Sequence, residues 1–183
     1  MRREHVISKT TPVYRVAEIL KTEPHLARPA DSVYTLALRM ARSPINRVAC
    51  IVDPEKKLLG LIPLRVIVES LFYGTEDGFR TARKMGHAIE NGEMLPSLKV
   101  ALAYPEAPEP YLAETAGELM EAPIWIRPGD TVKDAVDKML AGHLDGLPIV
   151  DGDMRVVGYI DMQELLRLWL GDTRPTAQAS ARP

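Results

Sequence analysis

The sequence predicts an α/β fold made of two copies of one unit, each running strand, helix, strand, strand, helix. Two observations predict it: the sequence matches itself at an offset of about 98 to 100 residues, and apolar residues in each copy change between strand and helical spacing. The chain has 183 residues, which suits one compact domain or two small ones that share a core. Because a small sheet with helices on one side cannot cover both of its faces, we expect the two copies to pack together.

The self-match consists of four blocks that occur in the same order in both copies. The pairs are Glu18-Ile19-Leu20 with Glu118-Leu119-Met120, residues 28–33 with 127–132, Ile51-Val52-Asp53 with Ile149-Val150-Asp151, and residues 58–62 with 156–160. Their offsets change by one residue at a time. Since chance rarely produces four ordered matches, the pattern indicates a duplication.

In the second copy, the first predicted strand and helix adjoin a turn. The apolar run Ile124-Trp125-Ile126 predicts a strand that ends at Arg127-Pro128-Gly129. Thr131 is a good N-cap, Asp134 reinforces the helix start, and Gly142 lies where the helix should end. The apolar face of this helix comprises Val132, Ala135, Val136, Met139 and Leu140.

The rest of the second copy predicts a hairpin and a closing helix. Two short strands, over 147–150 and 155–160, are joined by the turn Asp151-Gly152-Asp153. The apolar face of the closing helix comprises Met162, Leu165, Leu166 and Trp169. The first copy repeats this pattern with strands over 47–52 and 58–62. Its helices have the apolar faces Val33, Leu36, Ala37, Met40 and Leu64, Ile67, Val68, Leu71, Phe72.

Composition and pattern together predict how the chain divides into segments. The segments are an N-terminal extension (1–15), a first repeat (16–72), an inter-repeat segment (73–114), a second repeat (115–170) and a tail (171–183). Glycine and proline interrupt the inter-repeat segment, which is predicted to be irregular with one helix over 79–89. Its basic cluster is interpreted as a solvated helix face, with an anion or partner site as the alternative, and comprises Arg80, Arg83, Lys84 and His87. The tail is expected to be disordered.

Composition also excludes several classes of protein. A formal net charge of −2 gives no electrostatic support for binding nucleic acid, and no apolar run is long enough to span a membrane. Cys50 is the single cysteine, so no internal disulfide can form, and a reducing, cytoplasmic location is expected. The four histidines are scattered and Gly-rich phosphate loops are absent, so we expect no metal site, no catalytic residues and no enzyme activity.

The matched blocks resemble the cystathionine-β-synthase (CBS) domain, which occurs in pairs called Bateman modules. The resemblance rests on residues 127–132, on the run Gly146 to Asp151 and on Val157-Gly158-Tyr159-Ile160, and it is weaker in the first copy, where Ala49-Cys50 replaces a residue-proline step. It implies a pair of βαββα repeats related by a pseudo-twofold axis, usually assembled as a homodimer. It also implies a regulatory role. Since no catalytic or transport domain is attached here, we expect the chain to act in trans on an unknown protein or by itself.

The resemblance further implies a cleft between the repeats that holds an adenosine-type ligand such as AMP, ATP, adenosine or S-adenosylmethionine. The family's ligand signature follows the last strand: Gly, two apolar residues, Ser or Thr, two variable residues, then Asp. The hydroxyl residue lies at a helix N-terminus that attracts phosphate, and the Asp accepts ribose hydroxyls. Both copies of this sequence depart from the signature.

In the first copy, Pro63 stands at the hydroxyl position and Val66 at the acidic one, so neither role is available. Arg65 is a candidate for a phosphate contact, and a solvated surface arginine is the alternative. In the second copy, Asp161 places a carboxylate where phosphate would lie, while Glu164 can still accept ribose hydroxyls. The structural alternative is a capping box formed by these two acids. The carboxylate disfavours AMP more than it disfavours a ligand without phosphate.

Apolar positions that would wall an adenine-sized slot complete the candidate site. They are Ile124, Trp125, Leu147 and Pro148 in the second copy, and Leu26, Ala49 and Cys50 in the first. Ordinary core is the alternative for each. We rank the second copy first and expect it to sense a ligand; the alternative function is a dimeric interaction scaffold whose clefts bind none. The closing helices, around Trp169, are expected to form the dimer contact.

Overall fold

The structure is a computed structural model that describes residues 7–42, 47–72 and 115–171. We call the described parts of 7–72 the first half and residues 115–171 the second half. The helix predicted over 79–89, its basic cluster and the tail beyond Gly171 lie outside the described residues.

The two halves contain the same elements in the same order, with one strand missing from the second. The first half has α1 (Val13–Leu20), β1 (His25–Ala27), α2 (Val33–Ala41), β2 (Val48–Val52), β3 (Leu58–Pro63) and α3 (Leu64–Phe72). The second half has α4 (Ala116–Leu119), α5 (Val132–Ala141), β4 (Gly146–Val150), β5 (Val156–Asp161) and α6 (Met162–Trp169). Helix α5 begins and ends as predicted, with a capping box between Thr131 and Asp134 and with Gly142 as C-cap. None of these described helices is long and apolar enough to cross a membrane.

The two hairpins share one register. Val48 pairs with Pro63 in the first half, and Gly146 pairs with Asp161 in the second, so both members of the pair recur after 98 residues. Both hairpins are antiparallel, and both shift register at the same step. The sequence repeat is therefore a structural repeat, and the predicted α/β fold with two copies related by a pseudo-twofold axis is confirmed.

The pseudo-twofold axis passes between the starts of β3 and β5. The Leu58 N–H donates to the Met154 carbonyl (2.9 Å), and the Val156 N–H donates to the Lys56 carbonyl (3.0 Å). These two bonds join the hairpins into one unit. Lys56 and Met154 also have matching left-handed φ angles of 64° and 66°. The second hairpin thus turns where the sequence predicts, but Met154, and not Gly152, adopts the left-handed conformation.

The strand predicted at Ile124–Ile126 is reduced to one parallel bridge, between Ile126 and Ile149. In a parallel ladder the next bond would run from the N–H of residue 148 to the carbonyl of residue 124. Pro148 has no N–H to donate. In the first half the equivalent residue is Cys50, which has an N–H, and there the three-residue strand β1 forms beside β2.

The helices that open the two halves are exchanged between them. Helix α1 belongs to the first half, yet the Val13 N–H donates to the Asp130 carbonyl of the second half (2.8 Å). Helix α4 belongs to the second half, yet the Ala116 N–H donates to the Asp31 carbonyl of the first (2.8 Å). The exchange is symmetric because both donors begin a helix and both acceptors precede one. Sequence spacing does not predict it.

The exchange determines how the hydrophobic core is divided. The larger cluster combines Val13, Val16 and Leu20 of α1 with residues of both hairpins, α5 and α6. The smaller cluster combines Ala116 and Leu119 of α4 with residues of α2, β2, β3 and α3. Each opening helix therefore completes the core of the other half.

The predicted apolar helix faces are largely buried, with informative exceptions. Ile67 of α3 and Leu165 of α6 are buried within the chain, so they contribute to its own core. Leu140 is 61% exposed, and its predicted place on the buried face of α5 is wrong, because Ala135 and Met139 already fill that face against the core. Val68 of α3 and Leu166 of α6 are exposed as well, so their predicted places on buried faces are also wrong. Trp169 is 50% exposed at the end of α6.

Candidate functional site

Two buried carboxylates lie where β5 ends and α6 begins. Asp161 is the last residue of the strand and the N-cap of the helix, and its Oδ1 accepts a bond of 2.7 Å from the Gln163 N–H. Glu164 follows in the first turn. Asp161 is 2% exposed and Glu164 is 0% exposed. Because carboxylates are rarely buried so fully without a partner of their own, these two residues mark a candidate site.

Glu164 does not complete the predicted capping box. Its Oε1 instead accepts a hydrogen bond from the hydroxyl of Thr22, which follows α1 and therefore reaches Glu164 through the exchange of opening helices. Its Oε2 is buried and has no hydrogen-bond partner among the described residues. The capping prediction is thus correct for Asp161 and wrong for Glu164, whose carboxylate bonds to Thr22 of the other half instead.

Tyr159 brings a third buried polar group to the same place. It lies two residues before Asp161 on β5, so both side chains are on the same face of the hairpin. Its ring crosses over Gly146, where an added β-carbon would lie 2.1 Å from the Tyr159 Oη. Tyr159 is 1% exposed, and its Oη has no partner among the described residues. We call Thr22, Tyr159, Asp161 and Glu164 the carboxylate cluster.

Burial dominates the electrostatics of the carboxylate cluster. It raises the pKa of Asp161 to about 6, while the backbone N–H groups of Gln163 and Glu164 lower it. Burial also raises the pKa of Glu164 to about 7, the Thr22 hydroxyl lowers it, and the charge of Asp161 raises it. The pKa of Tyr159 is well above its ordinary value, first through burial and then through Asp161. Near neutral pH the cluster therefore titrates.

The predicted apolar walls lie in different surroundings. Pro148 pairs with Tyr159 and is buried on the same face as the cluster. Leu147 pairs with Ile160, so it faces the opposite side of the hairpin and belongs to the larger core. Ile124 and Trp125 are half-buried against that core. The Trp125 carbonyl accepts a bond from Lys138 Nζ of α5 (2.8 Å), which places this backbone beside α5.

Arg65 lies in the first half, near the start of α3. Its Nη2 contacts both oxygens of Glu121, at 3.0 and 3.2 Å, and its Nη1 lies 3.7 Å from Glu69. Glu121 follows α4, just as Thr22 follows α1. Arg65 stands at the position equivalent to Gln163, and its contact with Glu121 joins the two halves at the first repeat as the Thr22–Glu164 contact does at the second.

The positions equivalent to the two buried carboxylates are apolar in the first half. Pro63 occupies the position equivalent to Asp161, and Val66 is fully buried at the position equivalent to Glu164. Ala49 and Cys50, the predicted slot residues, are fully buried as well, and burial raises the pKa of the Cys50 thiol to about 12. Among the residues that the structure describes, no group of three or more His, Cys, Asp or Glu could hold a metal ion.

Sequence reasoning finds two of the four members of the cluster. Asp161 and Glu164 stand in a recognisable signature, whereas Thr22 carries no local signal and joins them through the helix exchange. In the sequence, Tyr159 is indistinguishable from an ordinary strand residue. The one available signal for its position is Gly146, which pairs with Asp161, since a glycine in a strand marks a close approach of other atoms.

Two equivalent hairpin units with exchanged opening helices and a polar cluster between them define a tandem-repeat α/β module. The family model described as the CBS domain matches residues 16–73 and 116–171, which together are more than half of the chain. The chain therefore belongs to the CBS domain family.

Solved structures support this assignment at the level of the fold. A CBS domain-containing protein from Thermotoga maritima has a TM-score of 0.64 at 17% identity, over 87% of this chain and 94% of its own. The CBS domain pair of the protein MJ0100, in complex with 5′-methylthioadenosine and S-adenosyl-L-methionine, has a TM-score of 0.56 at 21% identity, over 88% and 98%. The protein CBSX2 in complex with AMP has a TM-score of 0.54 at 16% identity, over 93% and 98%. No protein of curated function matches the sequence.

Proposed function

We infer that this protein is a non-enzymatic regulatory CBS pair that senses an adenosine-type ligand beside the carboxylate cluster. The observation that carries the inference is the fully buried Glu164, whose Oε2 has no partner among the described residues. A buried acceptor without a donor lowers the stability of the folded protein. A ligand that donates a hydrogen bond to this acceptor offsets the loss. The complexes of similar folds with AMP and with S-adenosyl-L-methionine support an adenosine-type ligand.

The proposed ligand contacts follow from the cluster. Ligand hydroxyls donate to Glu164, as the Thr22 hydroxyl does now, and the base packs against Pro148 and the half-buried Ile124 and Trp125. Leu147 supports the site from the opposite face of the hairpin. Arg65 is a secondary candidate for the phosphate of a longer ligand such as ATP, and it must first leave Glu121.

Ligand binding at Glu164 is also coupled to the surface of the protein. Thr22 is joined to α1, and Glu164 is joined to α6, so replacing their bond changes how these two helices pack. Helix α6 ends in an exposed apolar surface formed by Leu166, Trp169 and Leu170. We propose that this surface forms the contact with a second copy of the chain, and that the regulated partner in trans responds to the change.

The test is a thermal-shift and calorimetric titration of the full chain with AMP, ATP, adenosine and S-adenosylmethionine. We expect at least one ligand to raise the melting temperature, and we expect Glu164→Gln to weaken its binding. Glu118→Gln, in the other opening helix, is the matched control and should bind as the wild type does. A folded wild-type protein that responds to none of the four ligands would contradict ligand sensing.

The alternative is a dimeric interaction scaffold that binds no ligand. It is favoured by Pro63 and Asp161, which replace a hydroxyl in both halves, and by the complete burial of Ala49 and Cys50 in the first. If the protein is such a scaffold, we expect a dimer whose stability no tested ligand changes. The carboxylate cluster then has a structural role alone.

A further inference from the structure

The N-terminus of α6 is already occupied by a negative charge of the protein itself. The free N–H groups at the start of a helix, together with its dipole, attract anions such as phosphate. Here the Asp161 carboxylate accepts from the Gln163 N–H at 2.7 Å and fills this position. An incoming phosphate would have to displace a buried carboxylate or lie against it.

One group beside Asp161 needs a hydrogen-bond donor: Glu164 is fully buried, and its Oε2 has no partner among the described residues. Tyr159 is also buried with an unpartnered Oη, and this hydroxyl can either donate or accept. A carboxylate only accepts hydrogen bonds when ionised, so its missing partner is a hydroxyl, an amine or a cation. A phosphate monoester is mainly a dianion at neutral pH, and the dianion brings further acceptors and no donor.

The remaining charges near the cluster do not reverse this preference. Asp145 precedes β4 and adds a negative charge near Asp161, and Arg47, which lies 4.0 Å from Asp145, is paired with it at the surface. Arg167 lies one turn along α6 from Glu164, and it has interactions of its own. Two arginines, Arg47 and Arg167, therefore lie near three carboxylates, of which Asp161 and Glu164 are buried.

We propose that the carboxylate cluster selects an adenosine-type ligand that carries no phosphate, either a neutral nucleoside or a cationic one such as a sulfonium nucleoside, and that Asp161 is the specificity-determining residue. This inference rests on the proposed function and narrows its ligand class. A like charge in contact with a buried carboxylate is expected to weaken binding of AMP by at least about tenfold relative to adenosine.

The experiment is isothermal titration of the full chain with four probes: adenosine, 5′-methylthioadenosine, S-adenosylmethionine and AMP. In the wild type we expect the three probes without phosphate to bind more tightly than AMP. Asp161→Thr keeps an N-cap hydroxyl and removes the charge, so we expect it to gain about tenfold or more in affinity for AMP while adenosine changes little. Asp161→Asn, which also caps helices, should act in the same direction.

Asp134→Asn is the matched control, because Asp134 is also an acid at the start of a helix but is exposed on α5. It should leave the ratio of AMP to adenosine affinity unchanged. Wild-type binding of AMP as tight as that of adenosine, or a ratio that does not move in a folded Asp161→Thr, overturns this inference and leaves ligand sensing intact. Binding of none of the four probes overturns this inference, and if ATP does not bind either, the proposed function is overturned as well.

Discussion

The hydroxyl of Thr22 donates to the carboxylate of Glu164, and this bond joins the two halves of the protein at a buried site. Thr22 follows the opening helix of the first half, and Glu164 lies in the closing helix of the second. The bond is therefore specific to the assembled pair. It also supplies the one hydrogen bond that the Glu164 carboxylate receives among those described.

Removing that donor should destabilise the protein. In Thr22→Val the shape of the side chain is retained, but Glu164 loses its hydrogen bond while it remains buried, so we expect the free energy of unfolding to fall by roughly 1 to 3 kcal/mol. Urea denaturation at pH 7.5 measures the change. Thr35→Val, on the exposed face of α2, is the control and should cost less than about 0.5 kcal/mol. Equal effects of the two substitutions would show that the Thr22–Glu164 bond contributes nothing.

The carboxylate cluster should make stability depend on pH. The pKa values of Asp161 and Glu164 are raised in the folded state to about 6 and about 7, above their ordinary values of 3.8 and 4.5. The folded state therefore binds more protons than the unfolded state in this range. The stabilisation from protonation is fully present below about pH 4 and is lost as the pH rises through about 6 and 7.

Glu164→Gln isolates the contribution of one carboxyl, because the amide stays neutral throughout. We expect this variant to gain stability relative to wild type as the pH rises from 4 to 8, by at most on the order of 3 kcal/mol. Chemical denaturation of both proteins across that range gives the difference, in which other titrating groups cancel. A difference that is flat with pH would contradict the raised pKa of Glu164.

Gly146 should tolerate no side chain. In Gly146→Ala the new β-carbon would lie 2.1 Å from the Tyr159 Oη and 2.9 Å from the Ile160 carbonyl oxygen, so strand or ring must move. We expect a loss of roughly 1 to 3 kcal/mol in the free energy of unfolding, since overpacking a core usually costs that much. Gly152→Ala is the control, because nothing lies within 4 Å of its added β-carbon. A neutral Gly146→Ala would show that the ring does not cross over residue 146.

Trp169 should hold the proposed dimer together. It is half-exposed and borders a hollow of about 410 Å³ lined by Ile7, Val136 and Leu165, among other residues. Because the side chain is not part of the sealed core, Trp169→Asp should keep the fold and yield a monomer. Sedimentation velocity measures the oligomeric state, and circular dichroism checks the fold. Val157→Asp, which changes an exposed residue of β5, should remain dimeric. If Trp169→Asp remains dimeric, the dimer contact lies elsewhere. If the wild type is a monomer, the proposed dimer does not form.

The sequence predicts the local elements well because their signals are local. The capping box at Thr131 and the end of α5 at Gly142 need only neighbouring residues, and the second hairpin follows from two short apolar runs that a turn separates. The absence of a full strand at Ile124–Ile126 was also predictable from the sequence, because Pro148 lacks the backbone N–H that the parallel ladder requires there.

The candidate site is harder to predict because it depends on contacts between distant segments. Asp161 was recognised as a cap, but Glu164 was predicted to complete a capping box, whereas its carboxylate bonds to Thr22. Thr22 and Glu164 are 142 residues apart, and nothing in either segment predicts their contact. Tyr159 gives no sign that its hydroxyl is left without a partner, since that depends on the packing of both hairpins.

The exchange of α1 and α4 has a consequence for any attempt to divide the protein. A fragment cut within residues 73–114 would carry a helix whose apolar side has no core to enter, beside a core that lacks its helix. Two identical fragments could satisfy one another by trading those helices. A single repeat expressed alone should therefore self-associate as a mutually swapped pair, which makes the present chain a covalent version of such an assembly.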